Sequence, residues 1–210
     1  MDVDWERVGF MLAAIVPAII LHEVSHGVVA LWFGDDTAKR AGRLTLNPMK
    51  HVDPFGTLIL PAMMSLSGLG AFGYAKPVPV NVRRLRNPRQ HSLYVSLAGP
   101  LTNVVLAVFA LMAFRLTRPE FLRFIGDLPV IPQWCFWFGL VNVVLAVFNL
   151  LPVPPLDGSA MIERVLPHNW WPTWLRYRQW GFGILVLLMI FGALDFVFDP
   201  AIDLWFDVIV

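Results

Sequence analysis

Apolar residues in this chain collect into long runs separated by short polar stretches. A helix needs about 20 such residues to cross a bilayer. One run extends from about Val8 to Phe33. A second, Leu93 to Phe114, is uninterrupted. A third, Trp134 to Leu151, has only Gln133 and Asn142 as polar interruptions, and a fourth, about Gly181 to Phe198, is broken by Asp195. The first run is too long for a signal-peptide core. It has no basic region ahead of it and no clear cleavage site, so it is expected to be a span. A shorter run, Thr57 to Phe72, contains Pro61, Gly68 and Gly70 and follows Gly56. It is marginal for a full crossing and is expected to dip in and return, or to be a broken helix covered by the bundle, because irregular backbone at that depth must be shielded from lipid.

Composition agrees with this pattern. Apolar residues make up 57% of the 210 and charged residues 15%, against about 45–50% and 25% in a typical globular chain. Mean hydropathy is +0.64. A water-soluble surface could not carry that load, whereas lipid solvates it. The expected fold is an all-α polytopic membrane protein, a helical bundle with one short re-entrant or β-like segment. A single domain over 1–210 is expected, with its core at about 8–166 and a C-terminal helix and acidic tail at 170–210. The net charge of +1 gives no footprint for nucleic acid. The single cysteine, Cys135, excludes an internal disulfide framework.

Basic residues mark the cytoplasmic side. Lys39, Arg40, Arg43 and Lys50 follow the first run; Lys76, Arg83, Arg84, Arg86 and Arg89 follow the short one; Arg164, Arg176 and Arg178 precede the last. Both chain ends are acidic and are placed outside. Arg115, Arg118 and Arg123 fall on the outer side in this topology and run against the rule. In the tail, Asp195, Asp199, Asp203 and Asp207 recur every four residues, which on a helix makes one acidic face, best read as an interfacial segment. Pro200 argues against one continuous helix there.

The candidate chemistry lies inside the first run, at Leu21-His22-Glu23-Val24-Ser25-His26-Gly27. His22 and His26 are one helical turn apart, so both rings project from one face. Two imidazoles at that spacing can share one zinc ion, and Glu23 beside them can act as general base. Three ionisable groups in an apolar helix need partners, since a charge at mid-bilayer costs at least about 2.5–3.5 kcal/mol. A buried hydrogen-bonded cluster would be the bland alternative. A catalytic zinc needs a third protein ligand. Cys135 lies at the wrong end of its span, and His51 and His91 lie in basic loops. Asp157 is the better candidate, in Asn149-Leu-Leu-Pro-Val-Pro-Pro-Leu-Asp157-Gly158. Pro152, Pro154 and Pro155 forbid regular helix there, and Gly158 permits a close backbone approach. The alternative is that Asp157 caps a short helix from Gly158 to Leu166. If Thr57 to Phe72 re-enters, Asp157 arrives on the same side as the histidines; if it crosses fully, Asp157 emerges on the opposite face.

Ser96-Leu-Ala-Gly99-Pro100-Leu-Thr-Asn103 opens the middle span with small residues that allow close helix approach. Asn103 and Asn149 are amides that could serve an oxyanion or a substrate backbone, or could simply bond between helices. Gly73-Tyr-Ala-Lys-Pro-Val-Pro-Val-Asn81 reads as extended chain that could accept a peptide by strand addition, or as a plain proline-rich loop.

Taken in order, the His22-Glu23-Val-Ser-His26 helix, the Ala98-Gly-Pro100…Asn103 span and the Asn149-Leu-Leu-Pro-Val-Pro-Pro-Leu-Asp157-Gly motif resemble the site-2 protease family of intramembrane zinc metalloproteases. Leu44-Thr-Leu-Asn-Pro48, His51-Val-Asp-Pro54-Phe-Gly56-Thr and the Gly73–Asn81 run are similar to its compact subgroup without a PDZ domain. The resemblance implies one Zn²⁺ per chain held by His22, His26 and Asp157, with Glu23 as base and Asn149 as a substrate or oxyanion contact. It also implies cleavage of a transmembrane-helix substrate near the cytoplasmic face. A prokaryotic plasma membrane is expected from compactness. The interval from the histidine helix to Asp157 is longer than in the smallest members, which bears on the path of Thr57 to Phe72. A metal transporter using the same ligands would favour several weak sites along a pore, and the sequence concentrates one cluster. An inactive helix-binding scaffold would be expected only if one of the three ligands were missing.

Overall fold

The computed structural model describes residues 5–53, 76–118 and 128–209. The expectation for Thr57 to Phe72 lies outside them. Among the described residues seven α-helices follow one another: α1 (Trp5–Trp32), α2 (Thr37–Arg40), α3 (Pro88–Thr117), α4 (Val130–Leu150), α5 (Ser159–Val165), α6 (Trp171–Ile190) and α7 (Asp195–Ile209). There is no strand among the described residues. Three helices among the described residues are long and apolar enough to cross a bilayer: Val8–Trp32, Pro88–Thr117 and Val130–Leu150. The chain is an all-α integral membrane protein, and the first three of the four long apolar runs each form one such helix.

Helix ends follow local chemistry. Asn87 caps α3 by accepting the Gln90 N–H through its side chain, and Pro88 stands at the first helical position, where no N–H is needed. At the end of α1, Gly34 adopts a φ of 104°. Its N–H bonds to the Leu31 carbonyl and that of Asp35 to the Ala30 carbonyl, a Schellman closure that favours glycine. Pro17 lies inside α1 and cannot donate to the carbonyl four residues back, Ala13. The indole Nε1 of Trp134, on α4, donates to that carbonyl at 3.4 Å. A defect in one helix thus becomes a tie to its neighbour.

Helices α1, α3 and α4 pack on one another, and α7 lies along α4. Alanines 14, 18, 107 and 110 let the helices approach around Phe114, Phe136, Phe138 and Trp205. Gly139 lies directly beneath the Trp205 indole. Lipid is as apolar as these side chains, so van der Waals fit and interhelical hydrogen bonds hold the bundle together, in place of the hydrophobic effect. The opposite faces carry Val105, Val108, Phe109 and Leu116 outward, as lipid contact requires.

The C-terminal region departs from expectation. The run from Gly181 to Phe198 is two helices rather than one: α6 ends at Ile190, Gly192 turns at a φ of 67°, and α7 begins at Asp195, bent by 67° from α6. Pro200 does not interrupt α7. It stands early in the helix and removes only the bond to the Phe196 carbonyl. Arg115 and Arg118, which run against the charge rule in the expected topology, have a structural use. Their guanidinium groups donate to the Val208 and Ile209 carbonyls, at 2.6 and 3.1 Å, and so neutralise the C-terminal end of α7.

At the other end, residues 76–81 run across the close of α1 without regular secondary structure. Asp35, fully buried, accepts from the Asn81 N–H at 2.6 Å and from both the N–H and the hydroxyl of Thr37. The Lys76 N–H donates to the His51 carbonyl and the Lys76 carbonyl accepts from Arg43. On the surface beside them Asp36 lies between Arg40 and Arg84, each 2.7 Å away. The slight desolvation there works to raise its carboxyl, but the two guanidinium groups outweigh it and hold the group below its ordinary value.

Candidate metal centre

His22 and His26 project from one face of α1 and stack edge to face, with ring centroids 4.7 Å apart. Both are buried. Helix α3 comes so close to them that a Cβ on Gly99 would stand 2.5 Å from His22 Cε1 and Nε2 and from His26 Nε2. Real Cβ atoms do not approach that closely, so only glycine fits. The adjoining Pro100 denies its helix the bond to the Ser96 carbonyl.

Both rings are fixed through Nδ1. His26 Nδ1–H donates to the Val95 carbonyl at 2.6 Å. His22 Nδ1–H donates to Asn103 Oδ1, also at 2.6 Å. A neutral imidazole carries one proton, so each ring then presents a bare lone pair at Nε2. The two Nε2 atoms are 3.1 Å apart.

The third donor comes from the segment after α4. This segment folds back tightly: the Gly158 N–H bonds to the Asn149 carbonyl at 2.7 Å. A Cβ at Gly158 would run into the Leu150 and Leu151 backbone. Asp157 does not cap α5 with its side chain; only its backbone carbonyl serves that helix, accepting from Ala160. Its carboxylate turns to the histidines, with Oδ2 3.1 Å from His22 Nε2 and 3.3 Å from His26 Nε2. That oxygen is buried with no hydrogen-bond donor.

Three lone pairs therefore converge, and a proton or a cation has to lie between them. Their spacing discriminates. Tetrahedral zinc bonds of about 2.0–2.1 Å require ligand atoms about 3.3 Å apart, and the three separations here are 3.1, 3.1 and 3.3 Å. The donor set, the orphaned carboxylate oxygen and the glycine cradle fit a small divalent cation. His22, His26 and Asp157 are the one such group of His, Cys, Asp and Glu among the described residues.

Glu23, next to His22, accepts the backbone N–H of Val78 at Oε2, 2.8 Å away. Asn149 points its amide back along its own helix, donating to the Leu145 carbonyl at 3.0 Å. His51 donates from Nε2 to the Thr45 carbonyl at 2.9 Å, and His91 stacks on Phe33. Cys135 lies in the apolar core among Phe136 and Trp205. None of these three joins the cluster. Two contacts were not foreseen from the residues: Val78 on Glu23, and Asn142 behind Asn103. A signal for the second existed, since two amides inside apolar spans each need a partner and can satisfy one another.

Comparison with known proteins accounts for most of the chain. Peptidase family M50 matches residues 10–124 and 128–191. YwhC of Bacillus subtilis, provisionally named a zinc metalloprotease, is 34% identical over 92% of this chain and 86% of its own length. Rip2 of Mycolicibacterium smegmatis, named in the same provisional way, is 34% identical over 94% of this chain and 73% of its own. Zinc metalloprotease MJ0392 of Methanocaldococcus jannaschii is 21% identical over 85% of this chain and 41% of its own. No solved structure matches. With three apolar spans, a histidine–histidine–aspartate cluster between them and a family match over most of its length, the chain belongs to peptidase family M50, the site-2 proteases, and is a zinc metalloprotease of the membrane.

Proposed function

We propose that this protein cleaves a transmembrane-helix substrate at a peptide bond within or near the bilayer, as a step of regulated intramembrane proteolysis. Residues 1–210 act as one protease domain, holding one zinc ion per chain through His22, His26 and Asp157. The observation that carries this reading is the convergence of three lone pairs at 3.1–3.3 Å within a bundle of spans. Lys39, Arg40, Arg83, Arg84 and Arg86 gather at the same end, which supports a cytoplasmic active site in a prokaryotic plasma membrane.

Zinc, when bound, polarises the scissile carbonyl and makes water acidic enough to attack near neutral pH. Glu23 takes the proton from the attacking water and returns it to the leaving amine. The Val78 N–H occupies one of its oxygens and holds the carboxylate against the close of α1, so the other oxygen is the one available for proton transfer. Asn149 stands at the start of the segment that carries Asp157; its amide is the candidate contact for the substrate backbone or the developing oxyanion.

A helical substrate must unwind before its carbonyls can be attacked. Residues 76–81 support docking of the unwound strand. Their inward bonds to His51, Arg43, Glu23 and Asp35 fix the backbone. Pro77 and Pro79 have carbonyls but no N–H, so a peptide added there is bonded through its own N–H donors.

The test combines metal analysis of the purified chain with proteolysis of a panel of single-span helices. Wild type and Glu23→Gln should each hold one zinc per chain. Cleavage by Glu23→Gln should fall by at least about 10²-fold. Cleavage at the wild-type rate would remove Glu23 from the base role, and absence of zinc from the wild type would remove the metal centre.

A further inference from the structure

The two histidines are oriented by different means. His26 gives its Nδ1 proton to a backbone carbonyl, that of Val95. A carbonyl can only accept, so this contact dictates the tautomer by itself. His22 gives its proton to Asn103, and an asparagine amide can turn over. With Nδ2 in place of Oδ1, Asn103 would donate to His22 Nδ1, the ring proton would move to Nε2, and the lone pair that faces the cluster would be lost.

Asn103 is prevented from turning by a second amide. Its Nδ2 donates to Asn142 Oδ1 at 2.8 Å. Asn142 in turn donates its own Nδ2 to the Phe138 carbonyl, one turn back on α4, at 2.7 Å. The chain ends there on a group that cannot donate. Reversing it would set Asn142 Oδ1 against the Phe138 carbonyl oxygen and forfeit a hydrogen bond. Both asparagines are fully buried, at 0% exposure, so no water can satisfy the reversed arrangement.

We propose that Asn142 and Asn103 form a polarity relay that carries the direction of the Phe138 carbonyl from α4, through α3, to His22 on α1, and so holds His22 in its metal-ready tautomer. Both are positioning residues. This inference rests on the ligand set proposed above and concerns a part of the site that never touches substrate.

The relay makes a prediction that packing does not. An aspartate at 103 can only accept as a carboxylate, so it fixes the direction of the His22 bond without help from Asn142. Asn142→Leu should therefore weaken zinc binding by about 10- to 100-fold in the wild-type background, the usual loss on removing a partner behind a metal ligand. In an Asn103→Asp background the same substitution should leave zinc affinity nearly unchanged. Affinity is read on the full chain in detergent by competition with a chromogenic chelator, with zinc as the only probe. The zinc-free chain, labelled with ¹⁵N-histidine, gives a second readout by NMR: the His22 proton should lie on Nδ1 in the wild type and shift toward Nε2 in Asn142→Leu.

Equal losses in both backgrounds, or no loss in either, would overturn the relay. If Asn142→Leu does not fold, Asn142→Asp decides: protonated in its buried place, it keeps an acceptor toward Asn103 and a donor toward Phe138, and should retain zinc. Its loss of zinc would count against the relay. A His22→Ala arm separates the two levels. Zinc retained at wild-type affinity there would overturn the ligand set itself, whereas zinc lost there and kept in Asn142→Leu would overturn the relay alone.

Discussion

At the end of the bundle that carries the metal centre, α1 meets α3 through Gly99 and a row of hydrogen-bonded polar groups. At the other end, α1, α3, α4 and α7 meet through alanines and aromatic rings. The metal-centre end is specified by direction, since each buried donor needs one particular acceptor. The opposite end is specified by volume, since Trp205 over Gly139 needs space of the right shape. A change of one methyl group should therefore abolish function at the metal-centre end while costing only stability at the opposite end.

The sharpest way to break this comparison is Gly99→Ala. Its Cβ would meet His22 and His26 at 2.5 Å, and the histidines can yield only by leaving the cluster. Zinc content, measured by atomic absorption, should fall to background while the helical circular dichroism persists. A Gly99→Ala chain with full zinc would show that the cradle is looser than described. The next effect is Trp205→Ala at the opposite end. It opens a cavity against Gly139 and Phe136 and should lower stability to denaturant by about 3 kcal/mol while zinc affinity stays the same. Loss of zinc in that variant would mean that the two ends are not independent.

The smallest effect is at the surface. The carboxyl of Asp36 is held below its ordinary value of 3.8 by Arg40 and Arg84. A group lowered on folding stabilises above its unfolded value and loses that contribution as the pH falls through the folded one. Asp36→Asn should therefore lower the melting temperature slightly at neutral pH, and the difference from wild type should vanish in acid well below 3.8.

The spans and the clustered chemistry were legible in the residues because each depends on a local rule. Apolar length gives a crossing, and a histidine pair one turn apart gives a shared face. Asp157 could be read as a ligand or as a helix cap, and the local signals for the two were alike. The choice emerged only with the fold of 149–158, which depends on the Gly158 N–H reaching the Asn149 carbonyl. The break at 191–194 was hidden because Gly192 sits in an apolar run like the glycines at 181 and 183, which lie within α6. The amide chain was hidden for a different reason. Asn103 and Asn142 lie 39 residues apart, and their meeting depends on the register of α3 against α4, which neither sequence segment encodes alone.

The prolines at 77 and 79 have a consequence for how copies of this protein behave when crowded in a membrane. Two exposed strands aggregate by trading donors for acceptors along their edges. From Pro77 to Pro79 the single N–H, that of Val78, is already committed to Glu23. Two copies brought together along this stretch would present oxygen to oxygen and repel. In the docking role proposed above, the segment would receive a foreign chain that brings its own amides and refuse its twin, and so would not polymerise copies of the enzyme.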